Sequence, residues 1–231
     1  MSKSKKIIGI PGSSLGDNSF GCSKTYLEAI SHFGTPRILT PDEDIDSNID
    51  MILLPGGLDI NPNTYGEAPG FYTSNIDVFK NHFVQNKLPD YIKIGTSVFG
   101  ICLGAQQLAV MFGSKLTQNF MFHEQSKSRW ETAHEVYKVD LIRDGILPTK
   151  VTNNNGFKVN SHHHQGVTLD NLSANLEPLL LAHNHDRFLT GEGPIVEAFR
   201  HKTLPIVGVQ FHFEELYDKW SRDIIKELLG E

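Results

Sequence analysis

The stretch that most constrains this chain is Ser97-Val98-Phe99-Gly100-Ile101, followed at once by Cys102-Leu103-Gly104-Ala105-Gln106-Gln107. The first five residues read as a buried strand of the parallel type. Behind Cys102, Ala105, Leu108, Ala109 and Phe112 recur at i, i+3, i+4 and i+7, which is one face of a helix, and Gly113 is a fitting stop. Cys102 therefore sits on a sharp turn from strand to helix, between Gly100 and Gly104. A thiol at a helix N-terminus feels the positive end of the dipole, which favours the thiolate. Flanking glycines remove side chains that would crowd the turn. A G-x-S-x-G elbow exposes its serine in the same way, and here G-x-C-x-G holds a cysteine. The plain alternative is a core cysteine that happens to follow a strand.

The 231 residues are 39% hydrophobic and 21% charged, an ordinary globular composition. This length suits one α/β domain spanning 1–231, and no Pro/Gly/Ser-rich linker divides it. The net charge of -6 offers no basic surface to nucleic acid or lipid. Met1 to Lys6 is basic, but the apolar run after it, Ile7 to Ile10, is too short for a signal peptide. No apolar stretch approaches membrane-spanning length. Two cysteines, Cys22 and Cys102, make a disulfide framework a poor reading, so a cytoplasmic location is expected. Cys22 has no evident base beside it and reads as an incidental thiol.

Along the chain, strands are expected at Lys6–Pro11, Pro36–Leu39 and Asp50–Leu54, with a helix from about Lys24 to Phe33. Alternation of strand and helix argues for a parallel sheet covered on both faces. Pro55-Gly56-Gly57 ends the third strand, where ligands collect in open α/β sheets, and glycine N–H groups there suit half an oxyanion hole. A polar loop comes next, Leu58-Asp59-Ile60-Asn61-Pro62-Asn63-Thr64-Tyr65-Gly66-Glu67. A helix from about Ile76 to Asn86 returns the chain toward the central strand. Ser114–Thr117 reads as a short strand, Asn119–Thr132 as a polar surface excursion, and His134–Leu141 as an outer strand. Thr152 to Gly156 is a turn signal. Phe157–Asn160, Ile195–Phe199 and Pro205–Phe211 are further strands. Tyr217, Trp220, Ile224 and Leu228 mark the inner face of a terminal helix.

The run His162-His163-His164 tempts a metal reading. Adjacent residues of an extended segment point to opposite faces, however, and neither H-E-x-x-H nor a cysteine pair is present. His183 and His185 alternate correctly for one face but lack an obvious third ligand. No metal or cofactor is expected. Asn160, Ser161 and His162 read instead as a polar wall near a substrate, with a hydrated turn as the plain alternative.

A cysteine nucleophile needs a base, and the base needs an orienting carboxylate. His212 and Glu214 come after the last strand, two residues apart, so their side chains can share one side. In this reading Glu214 holds one imidazole nitrogen while the other faces the sulfur of Cys102.

Three motifs in order are Pro55-Gly56-Gly57, Gly100-Ile101-Cys102-Leu103-Gly104-Ala105-Gln106 and Gly208-Val209-Gln210-Phe211-His212-x-Glu214. The chain thereby resembles the class I glutamine amidotransferase superfamily over almost its whole length. That resemblance implies a three-layer, flavodoxin-like α/β fold: a mostly parallel central sheet with helices on both faces, plus a small antiparallel excursion. Two further stretches, Gly57 to Glu67 and Val159-Asn160-Ser161-His162-His163-His164-Gln165, are similar to the γ-glutamyl-γ-aminobutyrate hydrolase (peptidase C26) branch. This second resemblance implies a cysteine-dependent hydrolase that cleaves the γ-glutamyl amide of a γ-glutamylated amine through a thioester. Cys102 would be the nucleophile, His212 the base and Glu214 its orienter. The N–H groups of Gly57 and Leu103 would form the oxyanion hole. Gln106, with Asn160, Ser161 and His162, would hold the glutamyl end of a small-molecule substrate. The chain departs from the family at Phe213, where proline is usual between His and Glu. It departs also at Leu103, where this branch often carries arginine. Two other readings share the motifs: a glutaminase subunit passing ammonia to a synthase partner, and a non-catalytic binding protein on the same fold. The resemblance also suggests a homodimer.

Overall fold

The computed structural model describes residues 5–16, 19–74, 76–123, 125–128, 130–141, 147 and 155–231. Most of the expected turn at 152–156, and the first four residues of the basic N-terminus, lie outside them. The chain runs β1 (Ile7–Pro11), β2 (Ser13–Ser14), β3 (Phe20–Gly21), α1 (Lys24–Ser31), β4 (Thr35–Leu39) and β5 (Met51–Leu54). Next come α2 (Val78–Asn86), α3 (Leu88–Lys93), β6 (Ser97–Ile101), α4 (Leu103–Met111), β7 (His134–Lys138), β8 (Gly156–Val159) and β9 (Leu176–Ala182). The chain closes with α5 (Arg187–Thr190), β10 (Ile195–His201), β11 (Ile206–Val209), α6 (Phe213–Leu216) and α7 (Lys219–Leu228).

Nine strands form one sheet in the order β4-β1-β5-β6-β11-β10-β9-β7-β8, and β2 pairs with β3 in a separate ribbon. From β4 to β11 the neighbours are parallel; from β11 to β8 they are antiparallel. The period of two along each central strand builds the layers. Met51 and Leu53 face one side with Tyr26 and Ile30 of α1 and Ile224 and Ile225 of α7. Ile52 and Leu54 face the other, with Phe83 of α2, Tyr91 of α3 and Leu108 of α4. β5, β6 and β11 are buried along their whole length, as strands covered on both faces must be. The three-layer fold expected from the sequence is the one observed.

Details differ. Leu88–Lys93 is a helix where the sequence pattern specifies no element. β9 has no counterpart among the expected strands. Ser114–Thr117 is no strand: only Thr117 forms a bridge, with Gly166. β7 is not the outer strand, because β8 lies beyond it. Among the described residues no helix is long and apolar enough to cross a membrane.

β5, β6 and β11 are adjacent and parallel, so their carboxyl ends share one edge of the sheet. Gly56 comes just after β5, Cys102 just after β6, and His212 shortly after β11. Topology alone therefore gathers the three sequence motifs.

Candidate active site

The elbow is strained. Cys102 has φ 49° and ψ -107°, a conformation that residues with a side chain rarely adopt. It caps α4, and its N–H donates to Val209 O at 2.8 Å, tying the turn to the end of β11. The flanking glycines serve close approach. A Cβ on Gly100 would lie 2.8 Å from the Gly104 carbonyl, and one on Gly104 would lie 2.3 Å from Leu54 O. α4 can thus press onto β5 and β6 only where both side chains are absent.

His212 Nδ1 lies 2.7 Å from Glu214 Oε1, which leaves Nε2 for the sulfur. A Cβ built on Gly56 would meet His212 Cε1 at 2.9 Å and Cys102 Cβ at 3.4 Å, so the ring and the thiol flank one point. Burial alone would lower the pKa of His212. Hydrogen bonding and charge from Cys102 and Glu214 outweigh it and push the value up to about 11. The ring is thus held as imidazolium between two acceptors. Cys102 comes together here with the His212–Glu214 pair, 110 residues later in the chain, at one edge of the sheet.

Phe213 is part of the core. Its side chain is fully buried and packs on Tyr217, Phe99 and Phe33, with ring centroids 5.5, 6.1 and 6.4 Å away. It anchors the segment that carries His212 and Glu214. Position 213 opens α6, where proline fits the backbone. Phe213→Pro is therefore expected to keep the His212–Glu214 bond but to lose about 3 kcal/mol of stability through the missing ring. A thermal melt checks this; unchanged stability together with a large gain in turnover would show instead that phenylalanine mis-sets the turn.

Two residues that carry no signal in the sequence complete the site. The Tyr26 hydroxyl accepts from Gly56 N–H at 2.9 Å. Its own ionisation is strongly opposed, first by burial and then by Glu214 and Cys102. It stands between the glycine turn and the triad as a neutral hydroxyl. Lys80, on α2, donates from Nζ to Gly56 O at 2.7 Å and sits 3.3 Å from Asp77 Oδ2. In a trans peptide the Gly56 carbonyl and the Gly57 N–H point in opposite directions. Lys80 thus fixes the carbonyl on one side and turns the Gly57 N–H to the other. A Cβ on Gly57 would lie 2.8 Å from Leu103 Cδ2, so Gly57 lies against the Leu103 side chain. No local pattern marks Lys80 or Tyr26, because each reaches the site from its own helix.

The expected substrate wall divides. Asn160 Oδ1 accepts from His212 N–H at 2.9 Å, and Asn160 Nδ2 donates to His212 O at 3.2 Å. It grips the backbone of His212. Gln106 Nε2 donates to Gln165 O at 2.9 Å and to Gln210 Oε1 at 3.2 Å. Ser161 N–H donates to Ser126 Oγ at 2.8 Å and Ser161 O accepts from Ser126 N–H at 2.8 Å, while the Ser161 hydroxyl is buried with no protein partner. His162 lies 3.5 Å from Glu215 Oε2, its ring 5.6 Å from that of His212. The alternation expected of the histidine run is observed: His162 faces the triad, His163 the opposite side, and His164 Nε2 meets Asp59 Oδ1 at 3.1 Å. That last contact joins the 58–67 loop to the 160–165 segment, 105 residues later.

The Schizosaccharomyces pombe protein named "Putative glutamine amidotransferase PB2B2.05" is 31% identical over 212 residues, covering 85% of this chain and 76% of that protein. A GMP synthase [glutamine-hydrolyzing] from Corynebacterium efficiens is 26% identical over 89% of this chain, which corresponds to 30% of its own length. A glutamine amidotransferase structure from Thermotoga maritima superposes with a TM-score of 0.57 at 15% identity, covering 98% of this chain and 83% of that one, and supports the fold. The peptidase C26 family profile matches residues 6–214, from β1 through Glu214. The chain belongs to the peptidase C26 family, on the class I glutamine amidotransferase fold.

Proposed function

We propose that the protein is a hydrolase that cleaves the γ-glutamyl amide bond of a γ-glutamylated amine and releases glutamate. The observation that carries this reading is His212, gripped by Glu214 at 2.7 Å and turned toward Cys102. The sulfur attacks the γ-carbonyl carbon, and the carbonyl oxygen takes the negative charge beside the Gly57 and Leu103 N–H groups. His212 gives its proton to the leaving nitrogen as the C–N bond breaks, leaving a thioester on Cys102. Water then loses a proton to His212 and attacks the thioester carbon. Glutamate departs, and the thiolate and imidazolium are restored. Buried amide atoms of Gln165 and Gln210 without protein partners, next to Gln106, supply polar groups suited to the glutamyl end. The bond between Asp59 and His164 supports the assignment to the γ-glutamyl-amine branch, since it unites the two stretches that set that branch apart.

The GMP synthase similarity favours a second reading, a glutaminase subunit that hands ammonia to a separate synthase. Purified protein is incubated separately with glutamine, γ-glutamyl-γ-aminobutyrate and γ-glutamyl-putrescine, and released glutamate is measured. Turnover of either conjugate at a kcat/KM at least about tenfold above glutamine is the expected result. Activity on glutamine alone, rising when a synthase is added, would transfer the assignment to the second reading. No turnover of any of them would favour a binding protein.

A further inference from the structure

On the face of the histidine run turned away from the triad lies a cluster that the mechanism does not use. His163 Nε2 is 3.1 Å from His123 Nε2, and the Glu197 Oε1 atom lies 3.7 Å from the first and 3.8 Å from the second. The three donor atoms come from three separate places: the segment after α4, the segment after β8, and strand β10. All three side chains are buried, and Glu197 is completely so. A tetrahedral zinc ion with Zn–N and Zn–O bonds of 2.0–2.1 Å would set its ligand atoms about 3.3 Å apart. The observed triangle brackets that edge.

The surroundings prepare each donor. His163 Nδ1 lies 3.0 Å from Gln165 O, which can only accept, so Nδ1 carries the proton and Nε2 presents a lone pair to the cluster. His134 Nε2 lies 3.2 Å from the same Glu197 oxygen and orients the carboxylate from outside the triangle. Zinc takes an imidazole as the neutral ring and a carboxylate as the anion. His123 and His134 also line a cleft of about 280 Å³, with His183 and His185 on its wall, which gives an ion a route in.

We propose that His123, His163 and Glu197 bind a divalent transition metal ion of the zinc class, with the fourth coordination position unfilled by protein. Two imidazoles and one carboxylate are a common donor set for such an ion. Of the three consecutive histidines only His163 takes part. The other ligands arrive from elsewhere in the fold. The ion would pin the segment after α4 to the back of the wall that carries His162.

The test uses the full chain carrying Cys102→Ala, so that the triad thiol cannot bind metal. The protein is stripped with chelator, then titrated with Zn²⁺ and, separately, Co²⁺. We expect about one equivalent of either ion per chain, a Co²⁺ visible spectrum of tetrahedral intensity, and a melting temperature raised by roughly 5–10 °C at a hundredfold excess of Zn²⁺ over Kd. His123→Phe and Glu197→Gln should each remove all three responses, whereas His183→Ala should keep them. If either loss variant fails to fold, the other variant and the Co²⁺ spectrum of the unmutated cluster still decide. Absence of stoichiometric binding, or binding and spectrum unchanged in His123→Phe and Glu197→Gln, overturns the proposal.

Discussion

Replacing Cys102 by alanine is expected to lower glutamate release by at least about 10⁴-fold, while far-UV circular dichroism stays close to that of the unaltered protein. The substitution removes one sulfur atom from a buried turn and leaves every backbone contact in place, including the bond from the residue 102 N–H to Val209 O. Retained turnover would refute the nucleophile assignment. The variant also has a spectroscopic signature. Cys102 and Glu214 together push His212 up to about 11, against the burial that would lower it. A histidine raised in the folded state contributes stability that is complete below its ordinary value near 6.5 and is lost as the pH rises through about 11. Without the sulfur, one of the two raising groups is gone. The His212 imidazole should then titrate at lower pH in the variant, and an NMR titration of its Cε1 proton tracks the change. A titration curve that does not move would mean that the ring never interacted with Cys102.

The parts of this site that are legible in the sequence are those whose determinants lie within a few residues of one another. The run 97–101, the cysteine between two glycines and the helical spacing behind it specify strand, turn and helix without long-range information. His212 and Glu214 are two apart at the end of another apolar run, and their pairing needs only that local turn. Lys80 and Tyr26 are invisible for the opposite reason. Each lies on a helix whose pattern speaks of packing, and each reaches Gly56 only because α1 and α2 cover opposite faces of the same sheet. The cluster of His123, His163 and Glu197 is the extreme case. It exists because β8, β7, β9 and β10 lie in an order that spacing along the chain cannot reveal. Asn160 shows a subtler limit: residue type suggests a donor for substrate, whereas its amide is engaged in both directions by the backbone of His212. Ser114–Thr117 shows the converse. It reads as a short strand, yet only Thr117 finds a pairing partner.

The second large effect is expected at Gly104, two residues from Cys102. Its φ is not in the left-handed region, so its role is not conformational. A Cβ there would stand 2.3 Å from Leu54 O, 2.6 Å from Leu54 Cβ and 2.8 Å from the Leu54 carbonyl carbon. These are atoms of β5, paired on both sides within the sheet, and they have nowhere to go. α4 must instead withdraw, carrying the Leu103 N–H away from Gly57 and the Cys102 sulfur away from His212. Overpacking of this kind costs about 3 kcal/mol, or roughly 6–12 °C in melting temperature for a chain of this size. Gly104→Ala should therefore lose stability and turnover together. Gly113→Ala gives the contrast. Gly113 ends α4 at φ 98° with only Ser173 Oγ at 3.7 Å from its virtual Cβ. There the cost is one of backbone conformation, about 1 kcal/mol, and kcat should stay near that of the unaltered protein because α4 keeps its seat on β5. Melting curves and kcat for the two variants separate the cases. Equal behaviour of both would mean that the approach of α4 to β5 does not set the position of the nucleophile.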